Sequence, residues 1–450
     1  MKGFVPTPPG LVDAMVEKLF ADRPPRPDDC LLDPGCGSGA FIQGVIRWSA
    51  RTGLPLPRIT GIDSDPVLLR EAKNRIGAFP QVALVNADFL TPRQDRFEYI
   101  IGNPPYVAIT GLSLSERERY RKAYSTAVGR FDLYLLFFEQ ALKLLQPNGR
   151  LVFVTPEKFL YVQSAERLRR DLSATGVLEI ELIDESSFGG LVTYPAITTV
   201  APDRHAGHTR IALRTGTVRH VQLDASGASW LPVVNGRHTP EPGQTLREAF
   251  RRISCGVATG ADGIYVLRDA DLPAPLRPFS HPTLSGRGLV LGERPTASHQ
   301  MLVPYSRDGE LLPESALGPL GEYLSDPDRR SRLLRRTCVS RKPWYAFHEN
   351  PPLDDILQPK ILCKDIGSRP WFVVDERGDI VPRHSVYYLV PADQSQIHEL
   401  CTYLNSGVVA DFLMAHCQRA ANGFVRLQSH VLKRIPLPDR FVASGQLACV

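Results

Sequence analysis

The chain has 450 residues, 43% apolar and 22% charged, with a formal net charge of +5. That length allows two or three domains with buried cores, and the ordinary composition excludes a disordered or collagen-like chain. No apolar run reaches the roughly 20 residues that span a bilayer, and Met1-Lys2-Gly3-Phe4-Val5-Pro6-Thr7 lacks the apolar stretch of a signal peptide. The eight cysteines, at 30, 36, 255, 338, 363, 401, 417 and 449, form no Cys-x-x-Cys pair. A zinc ribbon, any other metal centre and a disulfide framework are therefore not expected, and the reading is a cytoplasmic protein with reduced thiols and no membrane partner. Charge is uneven. Residues 1–200 carry 23 Lys+Arg against 23 Asp+Glu, residues 201–450 carry 30 against 25, and all eleven histidines follow position 200. A weak basic excess is compatible with a polyanionic partner or with a solvated surface.

From about residue 28 to 200, short apolar runs alternate with helical stretches. Leu31-Leu32-Asp33 reads as a strand end, and Ala40 to Trp48 has helical spacing. Arg58 to Asp63 is a second strand. A helix follows from Pro66 to Gly77, with Asp65 as N-cap and Pro66 at its first position. Val82 to Asp88 is a third strand and Tyr99-Ile100-Ile101 a fourth. Asp132 caps a helix from Leu133 to Leu145 that closes at Pro147-Asn148-Gly149, and Arg150 to Val154 is a fifth strand. This alternation predicts an α/β fold with a parallel sheet, in which ligands bind outside the C-terminal strand ends. Asp33, Asp63, Asp88 and the Asn103 segment all fall on that rim. Residues 1–200 are expected to form the catalytic domain and 201–210 a linker. Residues 211–450 form a second, mixed α+β domain with β-like runs at Gly263–Leu267 and Trp371–Asp375 and a helix at Gln394–Leu404.

Residues 33–39 are Asp-Pro-Gly-Cys-Gly-Ser-Gly. Gly35, Gly37 and Gly39 allow sharp turns and close ligand approach. No lysine follows, so this is not a nucleotide-phosphate loop, and the third glycine of a dinucleotide loop is displaced by one place. Asp33 repels a pyrophosphate and suits an ammonium group. Asp63 can accept from both hydroxyls of a ribose. Asp88 can accept from an exocyclic amine while Phe89 packs on an adenine face. Adenosine with an ammonium-bearing tail describes S-adenosylmethionine. Residues 102–106, Gly-Asn-Pro-Pro-Tyr, stop a buried strand with two rigid residues, which hold the Asn103 amide and nearby carbonyls still.

These segments resemble the class I methyltransferase fold, a Rossmann-like sheet with helices on both faces. More narrowly they resemble the gamma-type N6-adenine DNA methyltransferases of restriction–modification systems, which carry Asn-Pro-Pro-Tyr. The likeness extends to Val5-Pro6-Thr7-Pro8-Pro9, to Val154-Thr155-Pro156-Glu157-Lys158-Phe159-Leu160, and to Ser187-Phe188-Gly189-Gly190-Leu191-Val192-Thr193-Tyr194-Pro195. In the second half it takes in Gly256–Gly260, Arg341–Tyr345, Pro359–Leu362, Leu404–Ser406 and Ile435–Pro438, features similar to a target-recognition domain. The resemblance implies cofactor contacts at Thr7, Pro8, Asp33, Gly35, Gly37, Gly39, Asp63, Asp88 and Phe89. It implies a catalytic loop of Asn103, Pro104, Pro105 and Tyr106, with Phe188 packing on the target base. Phe159 and Tyr194 are further candidates for that contact.

The implied substrate is a flipped adenine in double-stranded DNA. The Asn103 oxygen and the Pro104 carbonyl would each accept one N6–H, and Tyr106 would stack on the base. A cytosine-C5 enzyme would need a nucleophilic Cys after Pro, and the chain has no Pro-Cys dipeptide. Asn-Pro-Pro-Tyr also occurs in RNA guanine-N2 and protein glutamine methyltransferases, and a DNA-binding subunit without catalysis is another alternative. The 250 residues behind the catalytic segment and the intact Asp33, Asp63, Asp88 and Asn103 favour the DNA enzyme. No fused nuclease cluster is found, so any restriction endonuclease is expected on a separate chain. Two basic segments, Ser115–Lys122 and Asp328–Arg336, are candidates for DNA-backbone contact.

Overall fold

The computed structural model describes residues 3, 5–184, 194–204, 207–236, 243–419 and 424–441. They form two compact units, Met1–His238 and Thr239–Val450.

The first unit begins with helix α1 (Pro9–Phe20), followed by strand β1 (Cys30–Pro34), α2 (Ala40–Thr52), β2 (Arg58–Asp63), α3 (Pro66–Ile76), β3 (Val82–Asn86) and β4 (Phe97–Gly102). It continues with α4 (Leu114–Ala123), α5 (Leu133–Leu144), β5 (Leu145–Pro156), α6 (Glu166–Thr175), β6 (Val177–Leu182), β7 (Pro195–Val200), β8 (Thr209–Ala212) and β9 (Val218–Val221). The nine strands make one sheet in the order β3-β2-β1-β4-β5-β7-β6-β8-β9. Strands β1 to β5 run parallel, and β7 pairs antiparallel with both β5 and β6.

Side-chain alternation explains why both faces are covered. Leu31, Tyr99, Ile101, Val152 and Val154 pack with α1, α2 and α3. Their neighbours Leu32, Ile100, Leu151 and Phe153 pack on the opposite face with α5 and α6. Helix α5 is apolar nearly all round and almost wholly buried, as a helix between a sheet and further layers must be. The Asp65 carboxylate caps α3 by accepting from the Val67 and Leu68 N–H groups, as its sequence predicts. Asp132 precedes α5 without a capping hydrogen bond, contrary to expectation.

Two boundaries differ from the sequence reading. The expected linker at 201–210 runs into β8, which pairs parallel with β6, and β9 then extends the same sheet. The first unit therefore closes at His238 rather than near 200. In the second unit, Gly263–Leu267 divides into a helical turn, Asp262–Tyr265, and a short strand, because so short an apolar run suits either state.

The second unit holds β10 (Phe250–Cys255), β11 (Val266–Arg268), β12 (Ser280–Leu284), β13 (His299–Leu302), β14 (Lys360–Lys364) and β15 (Ile366–Gly367). After these come β16 (Phe372–Asp375), β17 (Val381–Pro382), β18 (Val386–Pro391), β19 (Gln418–Arg419) and β20 (Val425–Arg426). They form three small sheets, β10-β18-β14-β16, β11-β13-β12-β17 and β15-β20-β19. Across β14 and β16 lies a fully buried ion pair. Lys360 Nζ is 2.5 Å from Asp375 Oδ2, with the side chains 0% and 3% exposed. Burial pulls the Lys360 ammonium below its ordinary range, against the attraction of Asp375. Asp375 also accepts from the Gly378 and Ile380 N–H groups, so it fixes the following turn. Lys360→Met strands the Asp375 charge in the core and should cost about 3–5 kcal/mol. Denaturant unfolding measures that loss, and a variant as stable as the parent would show that the pair does not hold this unit.

Candidate active site

The order β3-β2-β1-β4-β5 reverses direction between β1 and β4, and the rim above that reversal is where an open α/β sheet binds ligands. A cavity of about 550 Å³ opens there, within the usual size of a small-molecule site. Gly35, Asp63, Asp88, Phe89, Asn103 and Pro105 line it. Thr7, Pro8, Asp33, Gly37, Gly39, Pro104 and Tyr106 do not line it themselves. Phe188 lies outside the described residues.

The glycine loop is built by backbone geometry. Gly35, Gly37 and Gly39 have φ of 71°, 53° and 83°, a region that side chains disfavour. The Gly35 and Cys36 N–H groups donate to the Ile62 carbonyl, which ties the loop to β2. The Gly37 N–H donates to Asp63 Oδ2 and the Asp65 N–H to Asp63 Oδ1, both at 2.8 Å. Asp63 is thus held rigidly, and each oxygen keeps a lone pair for a further donor.

Asp33 is fully buried, and neither carboxylate oxygen has a hydrogen-bond partner. Burial, and then the nearby Asp63 charge, pushes its carboxyl well above the ordinary range. Two orphaned acceptors behind a glycine loop are costly unless a donor comes to them. These acceptors therefore fit a cationic, ribose-bearing cofactor, with the orphaned Asp33 as the observation that carries the fit.

Asp88 differs from expectation. Its Oδ1 accepts from the Leu90 N–H at 3.0 Å, while Oδ2 is held by Arg119 at 2.7 Å and by the Tyr120 hydroxyl at 3.4 Å. An amine arriving at Asp88 shares that outer oxygen with Arg119 or displaces it. Arg119 comes from the basic run 115–122, so this cation serves the cavity mouth. Phe89 is buried and packs against Phe137, with centroids 5.0 Å apart. Phe137 also lines the cavity. Sequence reasoning missed it because an aromatic in an all-apolar helix reads as core.

The catalytic loop is anchored from the N-terminal segment. Asn103 Nδ2 donates to the Val5 carbonyl and to Thr7 Oγ1, each at 3.1 Å. A carbonyl only accepts, so the NH₂ must face Val5, and the opposite atom must be the oxygen. Asn103 Oδ1 is buried with no partner. The Tyr106 N–H donates to the Gly3 carbonyl. The Tyr106 hydroxyl is likewise buried and unpartnered, and burial raises its pKa, so it stays protonated. Beyond it, Ile109 and Leu133 donate to the Phe131 and Val107 carbonyls, pinning the loop to the start of α5. Phe159 packs against Phe138 and Trp230 with no exposure, which removes it as a base contact. The Tyr194 ring lies under the Arg214 guanidinium.

Two family patterns match the chain, the Eco57I restriction-modification methylase over residues 59–187 and the TaqI-like C-terminal specificity domain over residues 329–437. The chain is a restriction–modification DNA methyltransferase. The methyltransferase is 29% identical over 395 residues to the Type II methyltransferase M.XhoI of Xanthomonas vasicola, a match covering 79% of this chain and 71% of the relative. It is 26% identical to M.PaeR7I of Pseudomonas aeruginosa and 25% identical to M.BstVI of Geobacillus stearothermophilus. These matches cover 97% and 98% of this chain and 86% and 90% of those relatives. In fold it is similar to the ATP-dependent Type ISP restriction-modification enzyme LlaBIII bound to DNA, with a TM-score of 0.54 and 12% identity. A DrdV–DNA complex gives 0.52 and 15%. The likeness covers 97% and 98% of this chain but only 38% and 56% of those larger chains. S-adenosylmethionine is the cofactor of this methyltransferase.

Asp33 gives a pH-linked prediction. Its folded pKa lies above the unfolded value, so the carboxyl destabilises the cofactor-free fold increasingly as pH rises from the ordinary carboxylate range to the folded pKa. Asp33→Asn should therefore stabilise the cofactor-free protein at neutral pH by about 1–3 kcal/mol, with little gain at pH 3–4. It should also weaken cofactor binding. Melting curves across pH, with titration of S-adenosylmethionine, check both, and a melting gain independent of pH would contradict the assignment.

Proposed function

We propose that this methyltransferase transfers its methyl group to N6 of an adenine flipped out of double-stranded DNA. The observation that carries this reading is the Asn103 amide. Its NH₂ is fixed toward Val5 and Thr7, and its oxygen is buried with nothing to accept from. That is an acceptor prepared for an N–H group.

Adenine N6 is a poor nucleophile because its lone pair is delocalised into the ring. With one N6–H donated to Asn103 Oδ1 and the other to the Pro104 carbonyl, the nitrogen pyramidalises and its lone pair localises. S-adenosylmethionine would supply the methyl group as an electrophilic sulfonium: its S–CH₃ bond would break as N6–CH₃ forms, leaving a neutral thioether, and N6 would lose one proton to water. The chain contributes positioning and fixed dipoles, without a covalent intermediate. Extruding the base costs a few kcal/mol. Stacking on Tyr106 would offset about 1–3 kcal/mol of it, with Phe188 as a second contact. The Tyr106 phenol, kept neutral by burial, serves as a surface and not as a base.

The cofactor roles follow the same frame. Asp63 accepts from the ribose hydroxyls, Asp88 from the adenine amine, and Phe89 and Phe137 enclose that ring. Gly35, Gly37 and Gly39 let the backbone approach, Asp33 meets the cofactor's ammonium side, and Thr7 and Pro8 close the N-terminal edge. Thr7 acts largely through Asn103. The second unit recognises the DNA site, and a separate endonuclease is the expected partner in the cytoplasm. Among the described residues no helix is long and apolar enough to cross a membrane.

Purified protein, labelled S-adenosylmethionine and unmethylated genomic DNA test the reading. Nucleoside digestion should place the label in N6-methyladenine. Label in N4-methylcytosine, or none in DNA while the cofactor still binds, would overturn it. Thr7→Val removes one of two acceptors that orient the amide, a loss of about 1 kcal/mol. Turnover should fall roughly fivefold with DNA affinity unchanged. A variant with parental turnover would show that Val5 alone fixes the amide.

A further inference from the structure

The C-terminal unit carries its own open cleft of about 900 Å³. Its walls come from the exposed 291–294 loop, the end of β14, the turn between β15 and β16, and Phe424. Three cations line it. Lys364 is the last residue of β14, Arg369 lies in the β15–β16 turn, and Arg294 lies on the loop. Among the described residues none of the three pairs with a carboxylate, although Glu293 shares the rim. Trp371 and Phe424 sit among them, Phe424 being 41% exposed, and Leu291 at the loop tip is 73% exposed.

Several other cations of this unit are already paired with carboxylates. Arg251 and Arg252 pair with Asp355, Arg277 with Asp269 and Arg307 with Asp354. In the basic segment Asp328–Arg336, a candidate from sequence, Arg329, Arg330 and Arg336 make contacts within the unit while Arg332 and Arg335 stay exposed. Arg329 lies 4.0 Å over the Tyr323 ring and donates to its carbonyl. Arg330 lies over Trp344, and Arg336 donates to the Leu333, Thr259 and Trp344 carbonyls. The cleft wall, by contrast, is held from behind with its cations left over. Asn405, at the end of the Ile397–Leu404 helix, accepts from the Phe372 N–H at 2.9 Å and donates to the Phe372 carbonyl at 2.8 Å. That clamp fixes the start of β16, and with it the turn that presents Arg369.

We propose that this cleft grips the sugar–phosphate backbone of duplex DNA, with Arg294, Lys364 and Arg369 each neutralising one phosphate. The proposal rests on the DNA reading above and adds the surface and the residues. Unpaired cations suit a polyanion because no internal ion pair must break. The apolar and aromatic groups between them suit the sugar edges that separate successive phosphates. Glu293 repels any phosphate placed beside it and so restricts the register of the strand.

Counterion release makes the test quantitative, because each phosphate contact adds about 0.9 to the slope of log affinity against log salt. Full-length protein is titrated with unmethylated duplex DNA between about 50 and 200 mM salt. The R294A/K364A/R369A variant should lose about 2–3 units of slope, with melting temperature and S-adenosylmethionine affinity unchanged. A control, R268A/R277A/R307A, removes the same charge from positions paired with Asp271, Asp269 and Asp354 and should keep most of the parental slope. Each single variant should lose about 0.9, which serves if the triple variant melts early. An unchanged slope in the triple variant, or an equal fall in the control, overturns the cleft assignment alone. Absence of DNA binding by the parent protein overturns the DNA reading and this proposal together.

Discussion

The site depends on which way one amide faces. Asn103 follows β4, and the two prolines behind it stop the strand and fix the backbone. The backbone alone would leave the side chain free to turn over. The Val5 carbonyl removes that freedom, because only the NH₂ end can donate to it, and the Thr7 hydroxyl takes the second N–H. The N-terminal segment, nearly a hundred residues away in sequence, therefore sets the polarity of the catalytic loop. A flipped amide would present donors to an amino group and repel it.

The rest of the first unit holds that amide against its ligands. The parallel sheet places Asp33, Asp63, Asp88 and Asn103 on one edge, and both faces are sealed by apolar helices. That sealing is also the source of strain. Asp33 is buried without a partner, and that burial pushes its carboxyl's pKa up. The cost is tolerated in a large sheet whose remaining core is closely packed, and it is recoverable when a donor binds. The second unit repeats this economy differently. Its buried charge, Lys360 with Asp375, is satisfied internally and stabilises a turn, while the cations of the cleft remain unspent.

Much of the first unit was legible in the sequence because local signals and global fold agree there. Apolar alternation located the strands, Asp65-Pro66 located a helix start, and the acidic strand ends located the rim. The missed parts depend on distant chain. Ala201–His208 reads as a linker from its Pro, Gly and His content, yet the following residues pair with β6 about thirty positions earlier. Phe137 reads as core because nothing local distinguishes a core ring from a cavity ring. Arg119 reads as one charge on a solvated helix, and only the fold brings it to Asp88. In residues 328–336 a dense basic run looks uniformly free, yet Arg329, Arg330 and Arg336 also make contacts within the unit that local sequence does not reveal.

The most direct test of the account is single-turnover methyl transfer by Asn103→Ala, with cofactor affinity measured separately on the same preparation. The rate should fall about 100-fold or more, the usual loss when a preorganised hydrogen-bonding group is removed, with S-adenosylmethionine affinity nearly unchanged. A parental rate, or a loss explained wholly by weaker cofactor binding, would contradict the claim that the Asn103 oxygen receives the target amino group.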